Sequence, residues 1–242
     1  MQPELAVTTS KGLHNSTPTP TIAQKPPAAQ DSLFERVAWL YAFCRERLFR
    51  DDTVRIIAAL WPDGSAPPGS HVVELGCGPG FYSTRLAKRY PEVSVIGVDR
   101  SHNQLAWARR RAAAQQLANC SFTRVNVQEL PFTDCSFDAL VASRLFTVVR
   151  DPIRVVAEIH RVLRPGGRCF IAEPRYALWA SIPLFVMWLL ASITHSANGY
   201  REPRTAKTFS SRAFEDIFAA YPWRRVKTWQ AGRYQYALCE KA

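Results

Sequence analysis

Apolar and polar positions divide the chain into three stretches of different rhythm. Residues 1 to 30 contain Pro3, Pro18, Pro20, Pro26 and Pro27 without periodic apolar spacing. Such a stretch cannot bury enough surface to offset its ordering entropy and is expected to be a disordered tail. From Asp31 to Trp61 apolar residues recur every three or four positions, and Ser32 is followed by Glu35 in a capping pattern. That spacing predicts two helices. Pro62, Gly64, Pro67, Pro68 and Gly69 then break the pattern. Residues 31–69 are therefore read as an N-terminal helical lid or cap, and residues 70–242 as the main domain.

Beyond residue 70 the period switches repeatedly. Strands are predicted at 71–75, 93–98, 121–126, 137–142 and 168–172. Helices are predicted at 81–89, 101–116 and 152–163, the last ending on Pro165, Gly166 and Gly167. After a long uncharged run, residues 209–242 read as one more helix and two final strands. Strand and helix in alternation imply right-handed crossovers and an α/β fold with a mostly parallel sheet. In such sheets ligands sit at the carboxyl ends of the strands, beside the topological switch point.

The chain has 242 residues, 47% of them apolar and 21% charged, which suits one domain with appendages. Its six cysteines form no CxxC pair, so neither a zinc ribbon nor a redox dithiol is expected, and no metal is assigned. The N-terminus lacks the apolar core of a secretory signal, and a cytoplasmic protein is expected. A net charge of +11 suits an anionic partner but does not choose among nucleic acid, acidic lipid and acidic small molecules.

The sharpest chemical signal is His71-Val-Val-Glu-Leu-Gly-Cys-Gly-Pro-Gly80, a buried strand running into three glycines and a helix. Glycines there permit a tight turn and close approach of the backbone to a ligand. The next strand ends at Asp99, where a carboxylate can accept hydrogen bonds from both ribose hydroxyls. The pair reads as a nucleoside site. Phe81 occupies the third glycine slot of a dinucleotide fingerprint, and the Gly-Lys-Ser or Gly-Lys-Thr ending of a phosphate loop is absent.

These segments, together with VIGVDRS, NVQELPFTDCSFDALVAS and RVLRPGGRCFIAEP, resemble the ordered motifs of class I S-adenosylmethionine-dependent methyltransferases. The likeness is to the branch acting on quinones, lipids and natural products, and it covers about residues 70 to 174. The resemblance implies a Rossmann-like, doubly wound, mostly parallel seven-stranded sheet with an apolar helical insert before the last two strands. It also implies S-adenosylmethionine as cofactor, with Glu74, Gly76, Cys77 and Gly78 around its methionine part, Asp99 on the ribose and Arg100 beside the adenine. Asn126 and Val127 stand where the family meets the adenine ring, Asn126 replacing the usual Asp. Ser143 and Arg144 stand near the transferred methyl group, and Glu173 at the end of the fifth strand is a candidate for orienting the acceptor or closing a salt bridge.

Tyr176 to Thr194 contains nineteen residues and no charge, just long enough to span a bilayer. A crossing would put two parts of one sheet on opposite sides of the membrane, and Pro183 interrupts the run. A lid over a hydrophobic substrate, an interfacial segment and a core helix remain as readings. His195 and Tyr200, just after it, are candidate bases. From Arg175 onward there are ten Lys or Arg and four Asp or Glu, which favours an anionic surface and a peripheral position on the inner membrane face. The expected function is methyl transfer to a small hydrophobic acceptor by a monomer or loose dimer. The alternatives are a non-catalytic nucleoside-binding protein, kept open by Asn126, and an RNA or DNA methyltransferase, for which Trp223, Arg224, Arg225, Lys227 and Trp229 offer stacking and charge.

Overall fold

The computed structural model describes residues 50–176 and 208–242. The tail at 1–30, the helices expected before residue 50, most of the 176–194 insert, His195 and Tyr200 lie outside the described residues. In chain order the elements are α1 (Thr53–Leu60), β1 (His71–Leu75), α2 (Phe81–Arg89), β2 (Ser94–Asp99), α3 (His102–Ala114) and β3 (Cys120–Arg124). There follow β4 (Phe137–Ser143), α4 (Pro152–Val162), β5 (Leu163–Pro174), α5 (Ser211–Ala219), β6 (Trp223–Ala231) and β7 (Tyr234–Lys241).

Seven strands form one sheet in the order β3-β2-β1-β4-β5-β7-β6. β1 to β5 pair in parallel, and β7 runs antiparallel to both β5 and β6. The chain builds outward from β1 to β3, then returns to place β4 on the other side of β1. That reversal is the switch point at which the strand ends open a crevice.

Burial on both faces explains why β1 reads as an apolar run without alternation. Val73 and Leu75 enter a core shared with Val155, Ile159, Phe214 and Phe218 of α4 and α5. Val72, on the other face, packs with Ile56, Tyr82 and Leu86 of α1 and α2. Strand by strand, the observed bounds lie within a few residues of the expected ones, with β5 the main difference. The chain leaves α4 at Val162 and enters the sheet at once, because Phe137 pairs with Leu163 and Ala139 with Arg168 across a bulge. The helix stops at Val162, as the Pro165-Gly166-Gly167 signal led one to expect, and the same three residues then lie in the irregular pairing at the start of β5, where a Cβ at Gly167 would lie 2.8 Å from the Arg164 carbonyl.

Two arginines fix the backbone around β4. Arg161 donates to the carbonyls of Leu130 (2.9 Å) and Phe132 (2.7 Å) and pairs with Glu158 and Asp134, holding the loop before β4. Arg164 makes two bonds to the Asp138 carboxylate (2.7 and 2.8 Å), which also accepts the His71 N–H (2.7 Å) and so ties β4 to the start of β1. Among the described residues no helix is long and apolar enough to cross a membrane.

Candidate functional site

β1 ends in the turn Gly76-Cys77-Gly78-Pro79-Gly80, which delivers the chain into α2. Gly76, Gly78 and Gly80 have φ of 64°, 51° and 72°, the left-handed region that glycine enters without a Cβ penalty. Space is as tight as conformation at two of them. A Cβ on Gly80 would lie 2.9 Å from Ala108 Cβ and from the Phe122 ring, and one on Gly76 would lie 2.9 Å from Leu145 Cδ1. The turn is closed from within by Gly80 N–H to the Cys77 carbonyl (2.9 Å) and anchored to β2 by Cys77 N–H to the Val98 carbonyl (2.9 Å).

Asp99 ends β2 beside this turn. Its Oδ2 accepts the Gly78 N–H and its Oδ1 the Ser101 N–H, both at 2.8 Å. Desolvation holds the carboxyl above its ordinary range, with backbone N–H groups of Ser101, Gly78 and Arg100 and the Arg100 charge acting in the opposite direction. A carboxylate offers about four acceptor positions, and Asp99 keeps partial solvent exposure through which a diol can reach its oxygens.

Glu74 has an internal task that the sequence reading did not assign. Its Oε2 accepts the Ser83 N–H (2.7 Å) and the Ser83 hydroxyl, so the carboxylate caps the first turn of α2 from beneath, where the helix dipole favours an anion. It is 3% exposed and supports the turn from behind. Cys77 is likewise structural in its side chain. The thiol is buried against Gly97, and its pKa is raised well above normal by desolvation, then by Asp99 and Glu74.

Of the other expected cofactor residues, Arg100 is exposed and its carbonyl accepts from Arg124 (2.8 Å). Asn126 is exposed with its Oδ1 turned back to the Gln128 N–H (3.2 Å), a local Asx turn. Val127 is buried in the core. Ser143 closes β4 and pairs in register with Ala172. These residues lie at the carboxyl edge of β2 to β4, as the topology requires.

At the end of β5, Glu173 is fully buried and braces a loop. Its Oε1 accepts the N–H groups of Leu145 (2.6 Å) and Phe146 (2.8 Å), and its Oε2 that of Thr147 (3.4 Å). Burial pushes its pKa up to about 7 against those bonds and the nearby Arg144. Glu173, expected to orient the acceptor or to close a salt bridge, thus accepts from the backbone of the next loop and lies near the Arg144 charge. The loop so fixed begins at Arg144, whose Nη1 donates to the Tyr234 hydroxyl (2.7 Å). Tyr234 was missed by the sequence reading, since it lies ninety positions away and carries no motif.

The aromatic residues proposed for base stacking are used inside the protein. Trp229 stacks on Tyr236 (5.2 Å, 15°) and Trp223 packs edge-on to His160 (4.8 Å). Arg224, Arg225 and Lys227 line β6, the outer strand, where charge discourages edge-to-edge pairing. A cleft of about 300 Å³ lies between α5 and β6, lined by residues including Phe214, Glu215, Trp229 and Gln235, and no residue of the glycine turn reaches it. Among the described residues no group of three or more His, Cys, Asp or Glu is placed to hold a metal.

A family model described as a methyltransferase domain matches residues 67–230, which include the turn, Asp99 and the Glu173 brace. The chain belongs to this family. The chain is 32% identical over 171 residues to the 2-phytyl-1,4-naphtoquinone methyltransferase of Nostoc sp., covering 67% of this chain and 72% of that one. It is 37% identical over 125 residues to the trans-aconitate 2-methyltransferase of Deinococcus radiodurans, covering 52% and 45%. The chain spans less than half the length of two of the curated relatives it matches. Among solved structures, phosphoethanolamine N-methyltransferase 2 of Haemonchus contortus, in complex with S-adenosyl-L-methionine, shares the fold with a TM-score of 0.64 at 14% identity, covering 86% of this chain and 57% of that one.

Proposed function

We propose that this methyltransferase binds S-adenosylmethionine at the glycine turn and transfers its methyl group to a small apolar acceptor of quinone or lipid type. The observation that carries the reading is Asp99: a carboxylate at the β2 end, aligned by backbone N–H bonds to the turn and to the start of α3, and still partly exposed to a pair of vicinal hydroxyls. The residues fit the cofactor. Gly76 and Gly78, at φ of 64° and 51°, turn a backbone without side chains across the end of β1, where a nucleoside can approach it closely.

In this reading Asp99 holds the ribose, the backbone from Gly76 to Gly78 faces the methionine part, and Arg100, Asn126 and Val127 border the adenine. Glu74 and Cys77 support the turn from below. The cofactor, when bound, supplies a methyl group on a good leaving group, so the protein needs mainly to align the acceptor and exclude water. Ser143 and the loop from Arg144 to Thr147 form the acceptor side, with Glu173 as its positioning residue. The quinone named for the Nostoc relative supports an apolar acceptor, as does the uncharged run from Tyr176 to Thr194.

The test is methyl transfer from labelled S-adenosylmethionine to a demethylated naphthoquinol, a phospholipid and an oligoribonucleotide in parallel. Transfer to the quinol or the lipid supports the reading. Transfer to RNA alone overturns the acceptor class, and cofactor binding without transfer to any of them favours a non-catalytic protein.

A further inference from the structure

We propose that the rim of the crevice at the carboxyl edge of β4 and β5 docks on an anionic lipid bilayer, so that an apolar acceptor enters the site from the membrane. The inference rests on the acceptor lying at that edge, as in the proposed function.

The connections that leave this edge of the sheet differ in what they show to solvent. Those after β1, β2 and β3 expose no large apolar side chain among the described residues. Those after β4 and β5 expose three: Val148 is 40% exposed, Ile153 53% and Tyr176 48%. Ile153 stands in the first turn of α4, which lies at this edge because the helix runs back from the end of β4 to the start of β5. A single exposed apolar residue is ordinary on a protein surface. Three on two adjacent connections, confined to the acceptor side of the crevice, form a surface of their own. The fold does not need them inside, since Phe146 and Val155 already tie the same loop and helix to the core.

Arginines alternate with these residues. Arg150 and Arg154 are exposed, and the Arg175 guanidinium lies over the Tyr176 ring, its Cζ 5.3 Å from the ring centre. Asp151, the exposed carboxylate of this stretch, accepts the Arg154 N–H as the cap of α4 (3.0 Å). Glu173 is buried beneath the loop. Positive charge therefore exceeds negative on the rim, as a surface for anionic headgroups requires.

Apolar groups interleaved with basic ones are the composition of a surface that lies in the membrane interface, where the aliphatic side chains enter the acyl boundary and the cations meet phosphate. Arginine stems run along apolar surface with their heads in the polar layer, and tyrosine settles at headgroup level. The aliphatic members separate a bilayer from a nucleic acid, because bases stack on aromatic rings and gain little from Val or Ile.

The test is co-sedimentation of the full chain with phosphatidylcholine vesicles, with and without phosphatidylglycerol, at low and high salt. Each basic residue at an anionic surface adds about fivefold to partitioning, the equivalent of about 1 kcal/mol. The chain should sediment with the anionic vesicles at low salt and be released by high salt. The double variant Arg150→Gln, Arg154→Gln should partition about twentyfold more weakly, and Ile153→Ser about fivefold more weakly. Arg150→Lys, which keeps the charge, should stay within about twofold of wild type. Absence of sedimentation at low salt, equal binding to neutral vesicles, or unchanged partitioning of the double variant would overturn the docking rim. An oligoribonucleotide bound more tightly than the vesicles, and lost in the same variants, would assign the rim to nucleic acid instead. The melting shift given by S-adenosylhomocysteine and methyl transfer to a naphthoquinol in detergent are read on the same proteins. Vesicle docking without a melting shift refutes the cofactor reading alone, whereas a shift and transfer in detergent without docking refute the rim alone.

Discussion

Asp99 and Glu173 stand at the carboxyl ends of two strands of one sheet, and desolvation raises the pKa of both. Their surroundings use them differently. Asp99 accepts from the turn and from the start of α3 and keeps partial exposure. Glu173 accepts from three consecutive residues of one loop and has no exposure. The first carboxylate keeps a face open to solvent, and the second fixes the loop from Leu145 to Thr147. Residue type and position at a strand end do not separate these situations; the exposure of each carboxylate does.

The largest expected effect falls on the Asp99 side. Asp99→Ala removes two charge-assisted bonds to the ribose, worth roughly 1.5 to 3 kcal/mol each. S-adenosylhomocysteine should then bind on the order of a hundredfold or more weakly by calorimetry, and unchanged affinity would remove Asp99 from the site. Next in size is Glu173. Its folded-state pKa of about 7 lies above the 4.5 expected unfolded, so the folded chain holds this proton more tightly. The stability contribution is complete below about pH 4.5 and is lost by about pH 7, on the order of 3 kcal/mol for the group. Glu173→Gln, compared with wild type in urea melts from pH 5 to 8, should lose that slope, and parallel curves would show that the carboxyl is not so shifted.

A smaller effect sharpens the glycine half. Gly80→Ala places a Cβ 2.9 Å from Ala108 and Phe122 at φ of 72°, and should cost about 2 kcal/mol of stability in denaturant unfolding. The smallest belongs to Asn126. Because its carbonyl oxygen is turned to Gln128, Asn126→Ala should change cofactor affinity by no more than about threefold, under 1 kcal/mol. A hundredfold loss would mean that the side chain leaves its turn to meet the ligand.

Much of the cofactor half could be read from the chain because its signals are local. The glycines sit in one pentapeptide and the acid follows a fixed strand-to-strand interval, so the backbone demands of the turn appear as sequence spacing. The role of Glu74 was within reach as well, since Ser83 lies only nine positions on, at the start of the next helix. The acceptor half could not be read this way. Glu173 receives N–H groups from residues 26 to 28 positions earlier, and Arg144 meets Tyr234 across ninety positions. Those contacts exist only once β4, β5 and β7 are side by side. At Pro165-Gly166-Gly167 the local signal gave the helix end but not the early start of β5, because a helix stop and an irregular strand ask for the same residues.

A thermal melt of the purified protein with S-adenosylhomocysteine, ATP and NADH in separate samples tests most directly whether the glycine turn and Asp99 form the site of that nucleoside. At about 100 times its Kd a ligand adds about 2.7 kcal/mol. At roughly 2 to 4 °C per kcal/mol for a chain of this size, Tm should rise by about 5 to 10 °C. The rise should appear with S-adenosylhomocysteine alone and vanish in Asp99→Ala. A cooperative melt whose midpoint does not move, or moves equally with ATP or NADH, would contradict the assignment.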